Sequence, residues 1–180
     1  MAKPATPKFI RRVVTGHDVN GKSVILSDGM PPNVRDKGTD VDFVEIWNTA
    51  AAPAPIMAVE PEPTDGPLKV APASTGTKIR VNDFYPGHIL KLPERKDGRH
   101  RMMHRTRSVD YGIVLEGEIW MILDDQQVLL KAGDIVVQRG TDHAWENRSD
   151  KLCRMAFILV GGEFTPELLS MLPKELELRL

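Results

Sequence analysis

From Gly87 onward the chain is a succession of short apolar or alternating runs separated by turn residues. His88–Leu92, Asp110–Leu115, Glu118–Leu123, Val128–Leu130, Ile135–Gln138, His143–Asn147 and Lys151–Val160 each have strand length. Between them fall Glu116-Gly117, Asp124-Asp125, Ala132-Gly133-Asp134, Arg139-Gly140 and Arg148-Ser149-Asp150. Short strands at such regular intervals predict an all-β antiparallel barrel or sandwich. Upstream, Phe9–Val14 and Lys22–Leu26 flank a turn region containing Asn20-Gly21, a strong hairpin signal, and Val41–Trp47 alternates like another strand. At the other end Thr165-Pro166 reads as an N-cap followed by proline at the first helical position. A short amphipathic helix is expected to about Leu172, with Pro173 breaking it.

At 180 residues the chain fits one structural domain with a useful core. Residues 1–80 read as a polar tail over 1–8, the hairpin arm and a Pro/Ala-rich surface excursion over 50–77, all packing on a barrel formed by 81–163; 164–180 is the C-terminal helix. The formal charge is −1, from 24 basic and 25 acidic residues, so no basic field suggests a nucleic-acid partner. The cluster Arg95–Arg107 lacks aromatic stacking residues and reads as a solvated loop, one able to draw anions to a pocket mouth. A single cysteine, Cys153, excludes an internal disulfide and reads as a buried structural thiol. The opening residues show no signal-peptide pattern and no apolar run approaches membrane-spanning length, so no membrane partner and a cytoplasmic location are expected.

Two segments carry candidate chemistry. Side chains at alternate positions of a strand share a face. If the strand is unbroken, His104, Thr106, Ser108 and Asp110 point one way, and four polar groups in a row face either solvent or a polar pocket. The second segment, Gly133–Asn147, ends a strand in a glycine turn and opens the next with histidine, setting His143, Trp145 and Asn147 on one face.

These segments resemble the two motifs of the cupin superfamily. The first, G-x5-H-x-H-x3-4-E-x6-G, corresponds to His104, Thr106, Asp110 and Gly117, with threonine for the second histidine and aspartate for glutamate. The second, G-x5-P-x-G-x2-H-x3-N, corresponds to Gly133, Arg139-Gly140, His143 and Asn147, with the proline lost and a shorter turn. The resemblance spans roughly residues 84–162, and YGIVLEGE and GDIVVQRGTDHAWEN are similar to bacterial and fungal cupin-domain proteins labelled oxidoreductases. It implies a small-molecule pocket in a jelly-roll barrel. It also implies a divalent transition metal (Fe, Zn, Mn or Ni) on His104, Asp110 and His143, the two-histidine, one-carboxylate set. Thr106 stands where a ligand is missing, and His100 is a substitute four residues before His104.

The function so implied is a metal-dependent oxygenase, decarboxylase or isomerase acting on an oxygenated aromatic, keto or hydroxy acid. A metal-free ligand-binding or sensing cupin is the alternative, with Thr106 and Ser108 as hydrogen-bond donors. Asp110 and His143 are the expected catalytic groups, and Arg105 the anchor for an anionic substrate. Trp120 and Trp145 are expected as pocket or core walls; Gln138 and Asn147 orient His143, bind a ligand or satisfy a turn. Open sheet edges predict a homodimer.

Overall fold

The computed structural model describes residues 9–36, 38–92 and 94–173; the tail at 1–8 and the last part of the expected C-terminal segment lie outside the described residues. Among the described residues, eleven strands run in chain order. They are β1 (Arg12–His17), β2 (Ser23–Gly29), β3 (Val34–Asp36), β4 (Val41–Thr49), β5 (Thr77–Phe84), β6 (Ser108–Glu116), β7 (Glu118–Ile122), β8 (Gln127–Lys131), β9 (Ile135–Arg139), β10 (Ala144–Glu146) and β11 (Cys153–Gly161). A six-stranded sheet in the order β3-β4-β5-β11-β6-β9 faces a three-stranded sheet in the order β10-β7-β8, while β1 and β2 form a separate two-stranded sheet. All pairings between these strands are antiparallel. The sheets form the jelly-roll expected, closing around a shared core rather than by a continuous ladder. Phe84, Val114, Met155 and Phe157 from one sheet meet Ile119, Met121 and Trp145 from the other in one apolar cluster.

Parity explains the inner faces. Along β6, Ser108, Asp110, Gly112 and Val114 are buried while Val109, Tyr111 and Leu115 face out. Gly112 is small by necessity, because a Cβ there would press on Val136, Met155 and Phe157. Gly117 joins β6 to β7 at φ 75, where a Cβ would collide with the Leu152 carbonyl.

Several elements differ from the sequence pattern. His88–Lys91 is a 3-10 turn, not a strand: Gly87 enters it in left-handed backbone, and the buried His88 ring sits within hydrogen-bonding reach of the Tyr85 and Trp145 carbonyls. β3 and β5 were not legible as strands, and β4 and β5 are hydrogen-bonded members of the main sheet rather than part of an arm laid upon it. β1 pairs with β2 one to three residues later than the apolar runs suggest, spanning Arg12–His17 and Ser23–Gly29. The hairpin is fastened to its own chain by Arg12, which ion-pairs with Glu62 at 2.7 Å and donates to the Ile46 carbonyl.

The C-terminal helix α1 (Pro166–Met171) is capped by Thr165, whose side chain accepts from the Leu168 amide. Among the described residues no helix is long and apolar enough to cross a membrane. Cys153 is buried, and burial pushes its thiol up to about 12, the behaviour of an inert structural group.

Candidate active site

His104 and His143 are brought together by the backbone. Each donates its amide to the other's carbonyl, at 3.0 and 2.9 Å, in an isolated antiparallel bridge. The rings lie 4.3 Å apart at 48°. His104 Nδ1 lies 2.8 Å from the Met102 carbonyl and His143 Nδ1 lies 3.0 Å from the Thr141 carbonyl. Facing a carbonyl, each Nδ1 must carry the proton, so each Nε2 keeps its lone pair. Burial, then the neighbouring His143, holds His104 well below the usual histidine range; burial pushes His143 down to about 4. Both imidazoles are therefore neutral near pH 7.

The bridge is fixed by the residues on either side of it. Arg105 grips the Asp142 carboxylate with two bonds of 2.7 and 2.8 Å, and Arg99 adds a third at 2.9 Å. Burial alone would raise the Asp142 carboxyl; the Arg105 and Arg99 bonds more than offset it and hold it low. Gln138 donates to the same Thr141 carbonyl that receives His143 Nδ1, at 3.2 Å, so it positions His143. Trp145 stacks edge-on against His143 at 5.9 Å.

The rings line a small chamber with Phe43, Arg80, Asn82, Asp110 and Trp145. Its volume is about 20 Å3, room for one water. His104 and Thr106 also line a larger cleft of about 680 Å3, a size that suits a small organic ligand. The cleft's far wall is residues 69–74 of the Pro/Ala-rich excursion. Lys78 and Arg80 hold that wall by donating to the Lys69 and Val70 carbonyls at 2.6 and 3.1 Å. The excursion is thus a wall of the site rather than a surface flourish.

Arg80 is the functional candidate that sequence reasoning missed. It is 6% exposed and lies over the Phe43 and Phe157 rings, with burial holding its guanidinium down to about 10. Its Nε has no partner among the described residues. Asp110 Oδ1 and Asn82 Oδ1 in the same chamber are likewise unpaired. The signal was present: Lys78, Arg80 and Asn82 alternate along β5 as His104, Thr106, Ser108 and Asp110 do.

The other expected residues fall into two groups. Thr106, Ser108 and Asp110 are buried near the rings, although His104 and Thr106 precede β6 and the strand is not continuous. Ser108 donates to Thr106 at 2.9 Å, and Thr106 to Asp110 Oδ2 at 3.4 Å. Burial raises the Asp110 carboxyl, against the pull of these hydroxyls and of Arg80. Arg105 lines the cleft, but its guanidinium is committed to Asp142 and the Pro173 carbonyl, which makes it a brace rather than a substrate anchor. Asn147 is a turn residue: it donates to the Phe84 and Lys151 carbonyls and accepts from Ser149. Trp120 faces outward under Arg148, 4.8 Å from the ring, and lines neither the chamber nor the cleft. His100 turns toward Glu146, 3.7 Å away.

Does this donor set fit a metal? Among the described residues no group of three His, Cys, Asp or Glu side chains comes together to hold one. The residues fit a two-imidazole seat formed by the Nε2 atoms of His104 and His143. They do not form the two-histidine, one-carboxylate set, because Asp110 is held by Thr106 and Ser108 and faces the charge of Arg80 instead.

A cupin domain matches residues 89–160. Sequence similarity extends further, to "Phomopsin biosynthesis cluster protein D" of Diaporthe leptostromiformis, 35% identical over 161 residues, 84% of this chain and 78% of that protein. The chain belongs to the cupin family. The cupin-domain-containing oxidoreductase fogC of Aspergillus ruber is another relative of this cupin, 31% identical over 154 residues, covering 83% of this chain and 71% of that one. Among solved structures, the Cnp3 cupin domain of Schizosaccharomyces pombe is similar with TM-score 0.47 and 11% identity over 84% of this chain and 87% of that one.

Proposed function

We propose that this cupin is an enzyme acting on a small oxygenated organic molecule of the aromatic, keto or hydroxy acid class. Its reaction is carried by the Nε2 atoms of His104 and His143. The observation behind this reading is the pair of imidazoles whose Nδ1 atoms face backbone carbonyls, leaving two Nε2 lone pairs beside one small chamber, with His104 also lining a ligand-sized cleft. A neutral imidazole held in this way accepts a proton from a C–H or O–H beside a carbonyl, and returns it elsewhere on the substrate as isomerisation or elimination requires. The names of the relatives, oxidoreductases and biosynthesis-cluster proteins, support a role in small-molecule conversion.

A divalent transition metal on the same two Nε2 atoms is the second reading, favoured by their shared orientation into one chamber. Bound there, the metal would polarise a substrate oxygen. The test is deuterium uptake from D2O into 2-oxo and 2-hydroxy acids and phenols, with metal analysis of protein purified without chelator. The first reading expects uptake that survives EDTA and falls about a hundredfold or more in His143→Ala. Uptake lost with EDTA from metal-loaded protein establishes the second reading. Binding without any conversion reduces the protein to the ligand-binding alternative.

We further propose that the cupin forms a homodimer through the free edge of β9. There Ile135 and Val137, 65% and 54% exposed, join Tyr111 in an outward apolar patch that a two-fold axis can pair with itself.

A further inference from the structure

The chamber is small, polar and incompletely paired, and these properties restrict what can enter it. Among the described residues it offers one unmet donor, Arg80 Nε, and two unmet acceptors, Asp110 Oδ1 and Asn82 Oδ1, on side chains 6%, 5% and 4% exposed. A space of about 20 Å3 admits one oxygen-sized group. A carboxylate is too large for it, and would set a second negative charge against Asp110. An ammonium group would satisfy Asp110 but lie beside the guanidinium of Arg80. A hydroxyl does neither, because it accepts with its lone pair and donates with its proton.

We infer that the chamber is a seat for a single acidic hydroxyl, enol or phenol, with the planar remainder of the molecule lying in the cleft past His104 and Thr106. Arg80 Nε–H donates to the oxygen, and Asp110 Oδ1 or an imidazole Nε2 receives its proton. Arg80 is then the residue that selects the substrate: its fixed charge stabilises the oxyanion that forms as the proton leaves. The aromatic walls Phe43 and Trp145 give the chamber an apolar side against which the carbon bearing the hydroxyl can pack. This inference rests on the small-molecule reading above and names the substrate group it uses.

The probe is phenol, compared with anisole, which has the same ring but no proton to donate. Wild-type protein carrying 15N-labelled arginine and histidine is titrated with each and followed by NMR. Phenol is expected to move the Arg80 Nε–H and the His104 and His143 Nε2 signals, and to bind about ten- to a hundredfold more tightly than anisole, the effect of one charge-assisted hydrogen bond. Arg80→Lys, which keeps the charge but not the Nε–H direction, should remove most of that preference.

Equal binding of phenol and anisole overturns the inference. So does an Arg80 signal unmoved by saturating phenol, or a chamber that retains only a trapped water. In any of these cases the enzyme reading stands if 2-oxo acids still take up deuterium and still move the histidine signals. Loss of both responses rejects the reading itself.

Discussion

Replacing Asp142 with Asn perturbs the brace behind the histidine bridge at a single atom. The carboxylate is buried, with 2% of its side chain exposed, and it holds the equally buried Arg105 through two bonds and the half-buried Arg99 through one. Asparagine keeps the volume and one acceptor but removes the carboxylate charge that meets the Arg105 guanidinium at two atoms. Removing one partner of a buried pair costs about 3–5 kcal/mol. Because Arg99 can return to water and the amide oxygen still accepts, the lower end, about 3 kcal/mol, is expected. Urea unfolding with a slope of about 2 kcal/mol per molar then places the midpoint about 1.5 M lower. Glu94→Gln is the control: its bond to Arg101 is solvent-exposed and should be worth less than about 1 kcal/mol. The pH dependence adds a sign. Asp142 is held below its unfolded value, so its stabilisation is present above about pH 4 and lost as pH falls through the folded value. Wild type should lose this contribution in acid, and Asp142→Asn should not. A midpoint within about 0.5 M of wild type, with an unchanged acid limb, would refute the brace.

Gln138→Leu should lower stability by about 1–2 kcal/mol and shift the His143 Nδ1–H signal in 15N spectra without changing its tautomer, because the shared Thr141 carbonyl is left to His143 alone. In chelator-treated protein, stability should decline as pH falls below about 6.5, by up to about 1.4 kcal/mol per pH unit for each of His88, His104 and His143. Their folded values are depressed chiefly by burial, so the unfolded chain binds protons first; a flat urea midpoint between pH 7 and 5 would contradict this. Light scattering should give about twice the 20.1 kDa chain mass, and Val137→Glu should yield monomer; a wild-type monomer would contradict the β9 interface.

The sequence made the jelly-roll legible through strand-length runs and turn glycines, because strand periodicity and backbone conformation are local properties. β6 to β9 and β11 fell close to their expected places for that reason. β5 escaped notice because Lys78, Arg80, Asn82 and Asp83 make it look like loop. Only the fold reveals that Arg154 neutralises Asp83 at 2.6 Å and that Val70 and two aromatic rings receive Arg80. The histidine pair was legible from motif spacing. Whether Asp110 joins it was not, since that depends on which side chains face it across the sheets. Trp120 shows the limit of parity: Glu118 and Trp120 share a half-buried face of β7, and nothing local tells such a face from a pocket wall.

The central claim is that His104 and His143 present unprotonated Nε2 atoms to a chamber that receives substrate. Long-range 1H–15N correlation spectra of histidine-labelled, chelator-treated protein at pH 7 test it directly. The account predicts that both rings are neutral Nδ1–H tautomers and that both Nε2 resonances shift on addition of phenol or a 2-oxo acid. Cationic rings, Nε2–H tautomers, or Nε2 signals indifferent to every such ligand would contradict it.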